Sequence, residues 1–156
     1  MMDPSIQALL EDLKSPEENT RDRATEELWR LWFEQKGVYG LEILRRSQMF
    51  LEAGQPDRAE ALLNELIQYE PDFAEALNRR AVLYYMQGNY FKAISDCKEV
   101  VRLNPIHFGA WHGLGLCYAC VGRYSDAIKA FHKALEIQPY AVMNQRLILE
   151  CTAKLS

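Results

Sequence analysis

The sequence predicts an all-α protein built from three stacked helix–turn–helix units, with a helical pair before them and one capping helix after them. Three ladders of residues carry this prediction, all with one period. Gly54, Gly88 and Gly122 are 34 residues apart (88 − 54 and 122 − 88), and so are Ala59, Ala93 and Ala127 and Pro71, Pro105 and Pro139. Each glycine suits a tight turn between helices, where a positive φ costs other residues more. Each alanine lets two antiparallel helices approach closely. Each proline stops one helix and is expected to seat the first turn of the next. A single unit cannot cover its own apolar face, so neighbours must stack.

Residues 1–39 carry no good copy of the pattern and are read as an N-terminal helical pair, a cap or a degenerate repeat. Ser5 to Lys14 is a short amphipathic helix with Ile6, Leu9, Leu10 and Leu13 on one side. Ser15-Pro16-Glu17-Glu18 then offers an N-cap, a proline at the first helical position and a capping-box glutamate. The helix that follows is expected to reach Lys36 and to stop at Gly37. Its stripe of Ala24, Leu28, Trp29, Leu31, Trp32 and Phe33 is too aromatic for an exposed helix and is expected to pack on the first repeat. This segment holds nine acids and five bases, so 5 − 9 = −4, which is the whole formal charge of the chain. The excess reads as a solvated outer face.

Residues 40–141 form the three repeats, 40–73, 74–107 and 108–141. The first is the least regular: Pro56 stands where Tyr90 and Tyr124 stand later, as the first residue of its second helix. Arg45-Arg46 and Arg79-Arg80 also recur at the 34-residue period, each pair divided between helix packing and surface. Residues 142–156 form the C-terminal capping helix, whose inner face is predicted to be Met143, Leu147, Ile148 and Cys151.

The third repeat carries the marks Trp111, Leu114-Gly115, Tyr118, Gly122, Tyr124, Ala127, Phe131, Ala134 and Pro139. In order and spacing they resemble the tetratricopeptide repeat (TPR). Two phrases, Pro71 to Ala76 with Asn78-Arg79-Arg80-Ala81, and His107 to Ala110 with Gly113-Leu114-Gly115, are similar to small bacterial and plastid members, which adds a photosynthetic or organelle setting and no activity.

The resemblance implies a right-handed superhelix of three TPR helix–turn–helix repeats. It also implies a concave groove, lined by the first helix of each repeat, that binds a peptide or an amphipathic helix of another protein. Carried over by position, the groove candidates are Leu44, Gln48 and Glu52; Glu75, Asn78, Arg79, Val82, Tyr85 and Met86; and His112, Leu116 and Cys120. The family's best-known subset binds C-terminal carboxylates of chaperones with a Lys, Asn and Arg clamp. Its places are here Leu44, Gln48, Gly109 and Gly113, with Arg79 alone offering comparable polarity, so the clamp is read as absent. Apolar residues with Tyr and Met suit an amphipathic segment better than an acidic tail.

Composition narrows the alternatives. A net charge of −4 without a basic stripe argues against a nucleic-acid partner, and no apolar run reaches the length of a membrane span. The start, Met1-Met2-Asp3-Pro4, reads as neither a signal nor a transit peptide. Cys97, Cys117, Cys120 and Cys151 all fall in helical pattern, which suggests free thiols in a reducing compartment, cytoplasm or organelle stroma. Cys117-x-x-Cys120 has zinc or redox spacing but lacks a second ligand pair, so no metal and no cofactor are predicted. His112 is placed on the groove side, and His107 and His132 in a loop or on an outer helix. Neither a catalytic set nor a phosphate loop is read, because Gly109, Gly113 and Gly115 follow no strand. The sequence thus predicts a non-enzymatic protein-binding adaptor or assembly factor. The alternative is a homodimer joined through terminal helices, and the third reading is a metal or redox protein using Cys117 and Cys120.

Overall fold

The computed structural model describes residues 2–156. Among them the chain forms nine helices and no strand: α1 (Pro4–Asp12), α2 (Glu18–Phe33), α3 (Gly37–Glu52), α4 (Pro56–Tyr69), α5 (Ala74–Met86), α6 (Tyr90–Leu103), α7 (Phe108–Cys120), α8 (Tyr124–Ile137) and α9 (Val142–Leu155). Helices α3/α4, α5/α6 and α7/α8 are the three antiparallel pairs, and they stack in chain order, with α9 packed on α8.

The turn inside each pair is the same object three times. Gly54, Gly88 and Gly122 have φ of 75°, 78° and 78°, the left-handed region that a Cβ disfavours. The following N–H then reaches back to close the helix end: Gln55 to the Phe50 carbonyl at 2.8 Å, Asn89 to Tyr84 at 2.8 Å and Arg123 to Tyr118 at 2.9 Å. This is the six-to-one bond of a Schellman cap, which satisfies a carbonyl the helix would otherwise leave orphaned. Ala59, Ala93 and Ala127 are buried between the two helices of their pairs. Gly115 marks the closest approach of α7 to α8, where a Cβ would lie 2.5 Å from the Phe131 ring.

Pro56 opens α4 as expected. The ladder prolines behave differently. Pro71, Pro105 and Pro139 each stand two residues past a helix end, and the next helices take Phe73, His107 and Ala141 as N-caps. The prolines therefore stop helices without starting any, because the chain needs a turn of its own to reverse between repeats.

Two departures concern the ends. On α9 the inner face is Asn144, Leu147, Ile148 and Cys151, while Met143 is exposed. That set keeps the i, i+3, i+4, i+7 spacing, and Asn144 is tolerated inside because its Oδ1 accepts from His112 Nδ1 at 2.7 Å. At the N-terminus, α2 begins at Glu18, with Ser15 Oγ accepting the Glu17 N–H in the turn before it.

The larger correction is where α2 lies. Only Phe33, at its end, packs on the core of the first repeat as expected; the rest of α2 runs as a strap along the edge made by the inter-repeat turns. Lys36, just past its end, pairs with Asp72 at 2.8 Å and Glu70 at 3.4 Å beside the first turn. Trp32 and Trp29 pack on His107 and Phe108 at the second. Thr25 accepts a bond from Gln138 at 3.5 Å and Arg21 lies 4.2 Å over the Tyr140 ring at the third. Gly37, with φ 71°, reverses the chain and sends α2 back across the stack. Leu13, Ala24, Leu28, Trp32 and Phe108 form the core beneath it, and its acids face out as expected.

Candidate partner-binding groove

Helices α3, α5 and α7 form the face expected to be the groove, and the strap covers the edge of that face at the starts of α5 and α7. Over the first turns of α5 and α7 the face is already occupied. A Cβ at Gly109 would lie 2.7 Å from Trp29 Cη2, so that glycine exists to admit an indole. Arg79 lays its guanidinium 4.7 Å over the Phe33 ring.

Beneath these aromatics sits a closed polar network. His107 caps α7 by accepting the Ala110 N–H on Nδ1 at 3.0 Å, which leaves its proton on Nε2. That Nε2–H donates to Glu75 Oε1 at 3.1 Å, and Asn78 Nδ2 donates to the same carboxylate at 3.1 and 3.3 Å. Arg79 Nε stands 4.0 Å from Glu75, and the Trp32 ring stacks on the imidazole at 4.4 Å. No buried side-chain polar atom among the described residues lacks a partner. Chemically this is a structural joint, with Glu75 and His107 fully buried at its centre.

The predicted groove set therefore separates. Leu44 (2% exposed), Glu75 (0%) and Asn78 (6%) are buried, although Asn78 still edges the groove. Glu75 and Asn78 lie near the start of α5, where the strap and the next repeat cover them, whereas Leu44, midway along α3, belongs to the core of the first repeat. His107, expected in a loop or outer position, is the buried centre of the joint, whereas His132 is exposed on α8. Gln48 bonds to the exposed Glu52 at 3.1 Å on α3. Val82 and Met86 on α5 are exposed, at 41% and 62%. Tyr85, His112 and Leu116 are half-buried and Cys120 is exposed.

Between α5 and α7 these residues surround an apolar slot of about 260 Å³. Asn78, Val82, Tyr85, His112 and Leu116 line it, together with Ala81, Cys97, Gly109, Gly113 and Cys117. Gly113 makes the opening: a Cβ there would meet one atom, Cys97 Sγ at 3.6 Å, and nothing fills the space. Sequence reasoning named the rim and missed this floor. The available signal was two glycines four apart, Gly109 and Gly113, on the groove register of one helix.

The cysteines also regroup. Cys117 is not set against Cys120; the buried Cys97 thiol on α6 is its neighbour, and that proximity lowers Cys117 and raises Cys97. Cys120 sits beside Tyr85 and Tyr90, whose rings are 5.7 Å apart, and both phenols are pushed up, Tyr85 mainly by burial and Tyr90 mainly by the neighbouring thiol. Among the described residues no three His, Cys, Asp or Glu converge as metal ligands, and no helix is long and apolar enough to cross a membrane.

A stack of helix pairs with Schellman turns at a 34-residue period defines a helical-repeat superhelix. Tetratricopeptide-repeat profiles match residues 44–105 and 109–140, together more than half of the sequence, and the chain belongs to the tetratricopeptide repeat family. A TPR repeat-containing protein of Rhizobium etli is 40% identical over 77 residues, 49% of this chain and 38% of that protein. Anaphase-promoting complex subunit 3 of Schizosaccharomyces pombe is 30% identical over 99 residues, 62% of this chain and 14% of that protein. The chain thus spans well under half the length of these relatives. Among solved structures, the first TPR of Spaghetti (RPAP3) bound to an HSP90 peptide superposes with a TM-score of 0.71 at 20% identity, covering 74% of this chain and 91% of that one. The TPR2B domain of yeast Sti1 in complex with an Hsp70 peptide gives 0.67 at 17% identity, over 72% and 95%. At such identities the likeness is one of fold.

Proposed function

We propose that this chain is a protein-interaction adaptor or assembly factor that holds an apolar side chain of a partner segment in the slot between α5 and α7. One observation carries the reading: an open, apolar cavity of about 260 Å³ between α5 and α7, bordered by the exposed Val82. A pocket of that size accepts a large aliphatic or aromatic residue, and the surrounding Tyr85 and His112 can orient its backbone. That the structurally similar domains of Spaghetti and Sti1 are seen with HSP90 and Hsp70 peptides supports a peptide-binding role for the same face. An acidic tail is a poorer fit. Leu44 is buried, Gly109 and Gly113 bring no side chain, and Arg79 is engaged by Phe33 and Glu75. Nothing in this arrangement asks for catalysis.

The test is a slot-filling variant. Gly113→Leu places a side chain into open space, and the folded variant should lose a partner captured from native lysate by the unmodified chain. Retention of that partner by Gly113→Leu, with loss in a convex-face variant such as Lys98→Ala, would move the interface off the groove. A second reading, self-association, draws on apolar residues at both ends of the stack: Val38, Tyr39 and Tyr69 at one end, Val142 and Leu149 at the other. Light scattering at rising concentration separates it, since a monomer throughout leaves the groove reading alone.

A further inference from the structure

The four cysteines are unequal in a way their spacing does not suggest. Cys97 on α6 and Cys117 on α7 are both buried, yet both face the slot from below. The missing side chain at Gly113 leaves Cys97 Sγ open to the cavity, 3.6 Å from where a Cβ would stand. Cys117 lies one turn beyond Gly113 on α7, so the Cys97 sulfur that packs against the Gly113 position stands beside it in the same core cluster. The pair nearer in sequence is worse placed. Cys117 and Cys120 are three apart on one helix, which holds their Cβ atoms about 5–6 Å apart, beyond the roughly 3.5–4.5 Å a disulfide needs. Cys120 is turned toward Tyr85 and Tyr90 instead.

We propose that Cys97 and Cys117 are a peroxide-responsive dithiol at the floor of the slot, closing to a disulfide that ties the second repeat to the third. The slot is the route by which a molecule as small as hydrogen peroxide reaches them. Cys117 is the attacking sulfur: it lines the slot by which peroxide enters, and the neighbouring Cys97 thiol lowers its pKa against the effect of burial. The thiolate displaces hydroxide from the peroxide O–O bond, giving a sulfenic acid, and the hydroxide takes up a proton to become water. The Cys97 sulfur then attacks the sulfenyl sulfur; its proton leaves with the sulfenic hydroxyl as a second water. In sum, two thiols and one peroxide become one disulfide and two waters, with two electrons passing from sulfur to oxygen. The chemistry does not rest on partner binding, although a slot residue supplied by a partner would shield both thiols.

The experiment treats the reduced chain with hydrogen peroxide, alkylates the remaining thiols in denaturant and maps the peptides by mass. The expected product is a Cys97–Cys117 cross-link with Cys151 still alkylated. Cys120→Ser should form it at an unchanged rate, and Gly113→Leu should slow it by about tenfold or more by closing the route. In Cys97→Ser, dimedone should trap a sulfenic acid at Cys117. A Cys117–Cys120 cross-link would overturn the assignment, as would Cys97 and Cys117 staying fully alkylatable at a dose that consumes Cys120. Should Cys97→Ser fail to fold, the mapping of the unmodified chain and of Cys120→Ser decides.

Discussion

Ala127 is fully buried where α7 meets α8, and Gly115 opposite leaves no room for a larger neighbour. A leucine at 127 would have to push Phe131 or part the two helices. Ala127→Leu is expected to destabilise the chain by about 1–3 kcal/mol, the usual cost of overpacking, read from a denaturant melt. Asn78 teaches a different lesson at the same scale. Its position on the groove register suggested a ligand-binding amide, but its Nδ2 is spent on Glu75, which also accepts the His107 Nε2–H hydrogen bond. Asn78→Ala leaves a buried carboxylate short of a donor, so it should cost about 1–3 kcal/mol of stability. An Asn78→Ala variant as stable as the parent would mean that the joint is not closed in solution.

The element with most consequence is the strap. Together with Lys36 just past its end, it touches all three inter-repeat turns, so it braces repeats that otherwise contact only their neighbours. Trp32 is its anchor, stacked on His107 and packed against Phe108. Trp32→Ala should cost about 3–5 kcal/mol, the range for a buried aromatic, and should loosen α2 from the turns. Amide exchange is the measurement: protection should fall along α2 and at Ala110, whose N–H depends on the His107 cap. Protection lost only within α1 and α2 would show that the strap is an appendage and not a brace.

For the whole molecule, the proposed groove function requires that surface and stability separate. Tyr85 borders the slot and is half-buried, while Lys98 is exposed on α6. Tyr85→Ala is expected to weaken a captured partner by about 1–2 kcal/mol, as for a useful interface residue, with Lys98→Ala near neutral. Calorimetry against that partner checks it. The reverse ranking would place the partner on the convex side.

The sequence by itself determined the repeat. Gly54, Gly88 and Gly122 must tolerate positive φ, Ala59, Ala93 and Ala127 must be small, and a helix cannot run through Pro71, Pro105 or Pro139; these are local demands, so they recur with the period and can be read from it. The outer rim of the groove was legible for the same reason, since Val82, Tyr85, Met86, Leu116 and Cys120 follow from helix register alone. Only the tertiary structure decided the rest. The strap joins Thr25 to Gln138 across 113 residues, His107 meets Glu75 across 32, and Cys97 finds Cys117 on the facing helix. None of these partners carries a periodic mark. Each depends on which surface a neighbouring element leaves uncovered, and that is settled by packing between distant segments of the chain, after the helices themselves are specified.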